Sequence, residues 1–218
     1  MIKHREGDIF IATEDFAQAA GLVGGLSGVV EPMLEAFETI KPGKAVIVDW
    51  GGGQADHRAQ IFVATRLGDY LKEMGISATS VIVTTNAAGD MARAAELLHT
   101  SAMIAPDVHR CLALNRRRGS FAFVNGSEQS RVYGLLRDEA MSARTFEIRA
   151  VGGESWKVCD EAGMSMPEVI ASDIATLAAR IARNRLIAGA CQTEVAAWYS
   201  ATETELLRVL AQPNAAKN

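Results

Sequence analysis

The residues with the clearest chemistry follow the most apolar segment of the chain, 45–48. Asp49 ends this segment, and a carboxylate at the carboxyl end of a buried parallel strand is suited to hold Mg²⁺ or the water around it. Three glycines come next, at Gly51, Gly52 and Gly53. Glycines let a backbone approach a phosphate closely, and Gln54 in the same loop is able to orient an attacking water. Asp49 alone has a simpler interpretation, in which its side chain caps the following turn.

Another predicted strand also ends in polar residues. Asn115 closes the segment 108–115, and its amide both donates and accepts hydrogen bonds, which suits the edge of adenine. A turn-forming asparagine is the alternative. Arg116, Arg117 and Arg118 follow, and guanidinium groups bind phosphates of nucleic acids or acidic groups of proteins. Because the chain carries a net charge of −4, a solvated loop is an equally good interpretation of this basic run.

The other polar candidates favour structural roles. Thr84, Thr85 and Asn86 close the strand between these two, and we expect them to cap the next helix; the alternative is that their hydroxyls line the same site. The four histidines and three cysteines show no spacing typical of a metal site. We therefore expect the cysteines to be reduced thiols in the core. They are Cys111, Cys159 and Cys191.

Strands alternating with helices must position these residues. Apolar runs predict strands at 8–12, 45–49, 79–85, 108–115 and 145–151, the last towards a sheet edge. Apolar residues at helical spacing predict helices near 28–40, 61–74, 88–103 and 128–143. Strand–helix–strand units of this length imply right-handed parallel crossovers. The predicted fold class is α/β, with one parallel sheet flanked by helices.

The rest of the chain is predicted to be helical, at 156–162, 166–170, 173–183 and 186–211. We expect an α/β portion at 1–153, a helical C-terminal region at 154–211 packed on the same domain, and a frayed tail at 212–218. No apolar run approaches the ~20 residues that span a membrane, and the first residues lack the apolar stretch of a signal peptide. We therefore expect a cytoplasmic protein.

The order of these motifs along the chain resembles that of the ParA/MinD-type deviant-Walker P-loop ATPases. Within this family, the resemblance is to the ParA-like proteins of plasmid partition and conjugal transfer. The segment 45–52 resembles the Walker B strand and switch loop of that family. The segment 81–85 resembles its next strand, and 112–116 resembles the strand whose terminal asparagine lies near adenine. Trp156, the segments 163–165 and 169–170, and Trp198 resemble the helical end of the partition and conjugation subgroup. The resemblance depends on the order and spacing of these motifs.

The resemblance implies a three-layer P-loop NTPase fold with ATP and Mg²⁺ as cofactors. By this comparison Asp49 would hold Mg²⁺ through water and act with Gln54 in catalysis. The nucleotide would contact the remaining candidates, Gly51, Gly52, Gly53, Asn115 and Arg116. Implied partners are a second copy of the chain, an accessory DNA-binding or transfer protein, and DNA contacted weakly through Arg116, Arg117 and Arg118.

One departure from the family pattern is large. The family opens with a strand, a Lys-Gly-Gly-x-Gly-Lys-Thr loop and a helix, whereas Gly-Lys occurs here only at 43–44, before a strand and without a hydroxyl residue. The α/β fold is therefore expected to be incomplete at its N-terminus, and ATP binding to be weak and without measurable hydrolysis. In the family, the missing strand lies beside the Walker B strand. Either it precedes this sequence, or the strand at 8–12 takes its place.

Two other classes of protein fit the same residues. The first is a binding module without catalysis, in which the loop after Asp49 and the helical end contact protein partners. The second is an unrelated doubly wound enzyme that acts on a small metabolite. In that enzyme Asp49, His57 and Asn115 would meet in one cleft.

Overall fold

The computed structural model describes residues 9–13, 33–40, 45–49, 55–152 and 154–211. The chain divides into two compact units, each described here by itself. The first unit comprises 1–78 and 99–108, and the second comprises 79–98 and 109–218. The predicted glycine loop at 51–53 and the predicted tail at 212–218 lie outside the described residues.

The first unit contains a pair of parallel strands, β1 (Ile9–Thr13) and β2 (Ala45–Asp49). Their register runs from Ile9 opposite Ala45 to Thr13 opposite Asp49. Residues 33–39 between them are helical, and we call this helix α1. The strand predicted at 8–12 therefore pairs with the strand that carries Asp49. This parallel strand–helix–strand arrangement is the local unit expected of an α/β fold.

Two helices follow β2, α2 (Ala55–Ala64) and α3 (Leu67–Glu73), where the apolar spacing predicted one helix over 61–74. The prediction of a continuous helix was wrong because Arg66 adopts φ 49, in the left-handed region. The Thr65 hydroxyl donates to the Ile61 carbonyl at 2.7 Å in the preceding turn. α1, α2 and α3 pack together through Met33, Phe37, Ile61, Leu67 and Leu71.

The second unit contains three parallel strands, β3 (Thr79–Thr84), β4 (His109–Asn115) and β5 (Arg144–Ile148), in the order β3-β4-β5. Within the described residues, backbone hydrogen bonds thus define two sheets rather than the one predicted. β4 lies between its neighbours and is buried along four consecutive residues, 111–114. β5 lies at an edge of this sheet, as its polar sequence predicted.

Helices lie on both faces of the three-stranded sheet. On one face Ile82, Leu112 and Leu114 pack against α4 (Ala88–Ile104) and α5 (Glu128–Glu139). On the other face, Cys111, Ala113 and Phe146 pack against Val209 of the C-terminal helix. The predicted α/β class with a helix-flanked parallel sheet is therefore correct for this unit.

Four helices complete the second unit: α6 (Ser155–Glu161), α7 (Met166–Ala171), α8 (Ile174–Arg180) and α9 (Arg185–Ala211). The loops between them carry the capping residues that helix ends require. Ser165 and Glu168 form a capping box on α7, and the Asp173 carboxylate accepts from the amides of Ala175 and Thr176 at the start of α8. Their shared core includes Cys159, Val169, Leu177, Cys191 and Val195.

All three cysteines are buried and free, as predicted. Burial raises the pKa of the Cys111 and Cys159 thiols above their ordinary value. None of the helices in the described part of the chain is both long and apolar enough to cross a membrane.

Candidate functional site

Asp49 is the last residue of β2, and it lies opposite Thr13 at the carboxyl ends of the two parallel strands. Its side chain is exposed. This is the end of the strands where open α/β sheets bind ligands. Outside the described residues lie Gly51, Gly52, Gly53 and Gln54, together with the side chain of His57. Of the residues predicted to form this site, the structure therefore describes Asp49.

The helix after the glycine loop is anchored from inside the first unit. The guanidinium of Arg58 in α2 donates a hydrogen bond to the buried hydroxyl of Ser101 in α4. Burial lowers the pKa of Arg58 from its ordinary value, because the charged form loses solvation. The contact fixes the start of α2, which directly follows the predicted Mg²⁺ and phosphate loop.

Asn115 ends β4 at the carboxyl edge of the three-stranded sheet. Its Oδ1 accepts the backbone N–H of Arg117 at 3.0 Å, so the side chain caps a single 3₁₀ turn, Arg116–Arg118. The turn is closed by the Gly119 amide, which donates to the Arg116 carbonyl at 2.9 Å. The turn-forming interpretation of Asn115 is thus observed. Among the described residues, its Nδ2 group has no hydrogen-bond partner.

The basic run at 116–118 is partly neutralised by neighbouring carboxylates. Arg116 Nη1 lies 3.1 Å from Glu147 Oε2 at the end of β5. Arg118 Nη1 lies 3.8 Å from Asp90 Oδ2 in the first turn of α4. Arg117 is exposed and forms no ion pair within the described part of the chain. The edge therefore presents one unpaired cation rather than three.

The residues after β3 form the neighbouring part of this edge. Thr85 accepts the backbone N–H of Ala87 at 3.3 Å and donates to Asp90, so it caps the start of α4 as the sequence predicted. Asn86 behaves differently. Its Nδ2 donates to the carbonyls of Arg118 at 3.2 Å and Ser120 at 3.1 Å, which joins the loop after β3 to the loop after β4.

A separate groove of about 960 Å³ lies between β5 and α9. Sequence reasoning did not identify it, because its walls come from segments about fifty residues apart. The indole N–H of Trp198 donates to the Arg149 carbonyl, and the Ser155 hydroxyl donates to Glu194, so the loop after β5 and the start of α6 are both bonded to α9. The groove is also lined by Thr145, Glu147, Thr202, Glu205 and Arg208.

No described group of three or more histidine, cysteine, aspartate or glutamate side chains is arranged to hold a metal ion. The chemistry offered by the described residues is therefore that of a polar sheet edge. The edge of the three-stranded sheet provides the Nδ2 group of Asn115 and the exposed guanidinium of Arg117. The two-stranded sheet of the first unit ends, separately, in the exposed carboxylate of Asp49. Comparison of the chain with protein-family models, with curated proteins and with solved structures found no match.

Proposed function

We propose that this chain is a ParA-like protein of the P-loop NTPase type, acting in plasmid partition or conjugal DNA transfer. It binds an adenine nucleotide with Mg²⁺ weakly and does not hydrolyse it measurably. The observation that supports this proposal most is the pairing of β1 with β2. A parallel strand lies beside the Walker B-like strand, as in the resembling family, and the pair ends at Asp49.

Each end group has a defined task in this proposal. Asp49 holds Mg²⁺ through water, since Mg²⁺ takes one or two carboxylates and keeps several of its waters. The free Nδ2 of Asn115 donates to an acceptor on the adenine ring. Arg116 keeps its contact with Glu147 and presents its remaining N–H groups to the nucleotide.

Hydrolysis is not expected because the sequence has no Gly-Lys-Ser or Gly-Lys-Thr loop. Phosphoryl transfer depends on the amides of that loop, on its lysine and on the metal to neutralise charge in the transition state. The nucleotide would therefore act by binding to the protein, without being cleaved.

Thermal unfolding with ATP and Mg²⁺ tests the proposal. A ligand at 100 times its Kd stabilises a folded protein by about 2.7 kcal/mol, so a rise in Tm that needs both ATP and Mg²⁺ is expected. Asp49→Asn should abolish the dependence on Mg²⁺. Glu73→Gln makes the same change of charge at an exposed position in α3 and should leave it intact. The absence of any rise in the unaltered protein would remove the proposal.

The ion pairs at the sheet edge favour a second candidate function, a protein-binding module without nucleotide. Arg116 and Arg118 already have carboxylate partners, and the side-chain oxygen of Asn115 is occupied by a cap. Because these polar groups already have partners within the protein, they need no ligand to satisfy them. The same titration separates the two functions, because a binding module would show no stabilisation by ATP at any concentration of Mg²⁺.

The proposed partners are a second copy of the chain and an accessory DNA-binding or transfer protein. Sedimentation of the protein with and without ATP and Mg²⁺ tests the first of these. Dimer formation that depends on nucleotide would support the ParA-like function. A monomer under both conditions at high protein concentration would contradict that part of the proposal.

A further inference from the structure

Asn86 joins two loops at the carboxyl edge of the three-stranded sheet. The sequence separation between Asn86 and its acceptors is 32 residues for the Arg118 carbonyl and 34 for the Ser120 carbonyl. A side-chain amide has two N–H groups, so these two hydrogen bonds use its whole donor capacity. The backbone after β4 is thereby fixed at two points that flank Gly119.

Gly119 is suited to this clamp in two ways. Its φ is 115°, a backbone conformation that residues with a Cβ atom rarely adopt. A Cβ atom at this position would lie 3.3 Å from Asn86 Nδ2, closer than an ordinary contact. The glycine therefore lets the chain pass close to the Asn86 amide while both neighbouring carbonyls accept from it.

The clamp holds the turn that presents the predicted nucleotide contacts. The turn contains the Arg117 amide, bonded to Asn115 Oδ1 at 3.0 Å, and the Gly119 amide, bonded to the Arg116 carbonyl at 2.9 Å. The Asp90 carboxylate in the first turn of α4 lies 3.8 Å from Arg118 Nη1 and joins the same turn to α4. The ion pairs that join the turn to Glu147 and Asp90 are exposed and contribute little to stability, so the clamp adds a stronger restraint.

We propose that Asn86 is a positioning residue, which fixes the turn at 115–119 so that Asn115 and Arg116 face the nucleotide together. This inference rests on the proposed function for the identity of the ligand. Its geometric part, that the Asn86 amide orders the turn, holds with or without nucleotide. The two parts are therefore separated by experiment.

Hydrogen exchange of the protein without nucleotide tests the geometric part. In Asn86→Ala the amides of Arg117 and Gly119 are expected to exchange about tenfold faster, since two hydrogen bonds that restrain the turn are removed. Asn125→Ala is the matched control, because Asn125 is exposed in the same connection. It should leave both amides unchanged. Gly119→Ala adds a Cβ atom close to Asn86 Nδ2, so it disturbs the same contact and should also speed exchange of the Arg117 amide.

Titration with a fluorescent ATP analogue and Mg²⁺ tests the functional part. The Kd is expected to rise about tenfold in Asn86→Ala and to stay unchanged in Asn125→Ala. The urea midpoint of Asn86→Ala should remain close to that of the unaltered protein. A general loss of stability would lower this midpoint and speed exchange throughout α4 and α5, whereas loss of positioning would not.

The outcomes are distinct. Faster exchange confined to 115–119, with weaker nucleotide binding, supports the inference. Unchanged exchange in both Asn86→Ala and Gly119→Ala overturns it, and so does faster exchange spread through α4 and α5. If the unaltered protein binds no nucleotide, the proposed function fails while the exchange result still decides whether Asn86 orders the turn.

Discussion

Gln192 of α9 closes the end of another helix with its side-chain amide. Its Nε2 donates to the carbonyls of Val169 at 2.9 Å, Ile170 at 3.2 Å and Ser172 at 2.6 Å. The first two carbonyls belong to the last turn of α7, where helix carbonyls have no partner within the helix, and Ser172 is the residue that follows α7. The contact is partly buried, so water does not readily replace it.

We predict that Gln192→Met destabilises the protein by about 1–3 kcal/mol, because the change keeps the volume but leaves these carbonyls without a donor. Urea unfolding measures the difference. Gln129→Met is the control, since Gln129 is exposed on α5 and should change stability by less than about 0.5 kcal/mol. Equal effects of the two substitutions would contradict the assigned role of Gln192.

The ion pairs of the basic run lead to a prediction for DNA binding. If DNA is contacted through 116–118, Arg117→Ala should reduce the slope of log affinity against log salt by about one, since each phosphate contact contributes about one to that slope. Arg116→Ala should have a smaller effect because Glu147 already neutralises its charge. Fluorescence polarisation of labelled duplex DNA over a range of salt concentrations measures both. Identical slopes for the two variants would contradict this distinction.

At this scale, the sequence predicted some side-chain roles and not others. The capping role of Thr85 and the turn-forming alternative for Asn115 depend on neighbours within two residues, so local sequence was sufficient. The clamp made by Asn86 was not predictable, because its acceptors are backbone carbonyls that any residue provides. The same holds for Gln192, whose partners lie at least twenty residues away.

At the scale of elements, apolar runs located the strands well. β2, β3 and β4 lie within two residues of their predicted bounds, because runs of branched apolar residues are typical of buried parallel strands. The break between α2 and α3 was missed, since neither glycine nor proline marks it. Arg66 occupies the left-handed region there with its side chain bonded to Asp69, a local compensation that the apolar spacing does not reveal.

The caps of α7 and α8 make stability depend on pH. The Ser165 amide and hydroxyl donate to the Glu168 carboxylate and lower its pKa below the ordinary value of 4.5. The hydrogen bond from Thr176 at the start of α8 lowers the pKa of Asp173 in the same way, below 3.8. At pH values between the lowered and the ordinary pKa values, the unfolded chain therefore binds more protons than the folded one. The stabilisation is complete above the ordinary pKa values and is lost as pH falls through the lowered ones.

We predict that Ser165→Ala reduces this pH dependence, because the pKa of Glu168 then moves back towards its ordinary value. Urea midpoints measured from neutral pH down to about pH 3 give the comparison. At neutral pH the variant should be the less stable protein, and the difference should shrink on acidification. A difference that stays constant over the whole range would show that Glu168 is not the group responsible.

At the scale of the whole molecule, the burial of the thiols predicts their reactivity. Cys111, Cys159 and Cys191 have at most 4% of their surface exposed, and burial raises the pKa of the first two. An aromatic disulfide reagent should therefore find no fast-reacting thiol in the folded protein, and three in denaturant. Rapid reaction of one thiol before unfolding would contradict the packing described here.

The α/β class was predictable from the chain because it follows from the alternation of two apolar periodicities. The division into a two-stranded and a three-stranded sheet was not, since strand pairing depends on residues far apart in sequence. The candidate site was predicted in part. Its polar residues stand at the ends of strands as expected, whereas the ion pairs of Arg116 and Arg118 arise from contacts with other elements.

α9 connects two parts of the second unit that have different cores. Its first half packs among α6, α7 and α8, and near its end Val209 lies on the three-stranded sheet. The Val209 carbonyl accepts from the guanidinium of Arg144 at the start of β5. A helix of 27 residues is about 40 Å long and resists bending. A partner that binds α6, α7 and α8 and tilts α9 would therefore also displace Arg144, because this residue is bonded to the far end of the same rigid helix.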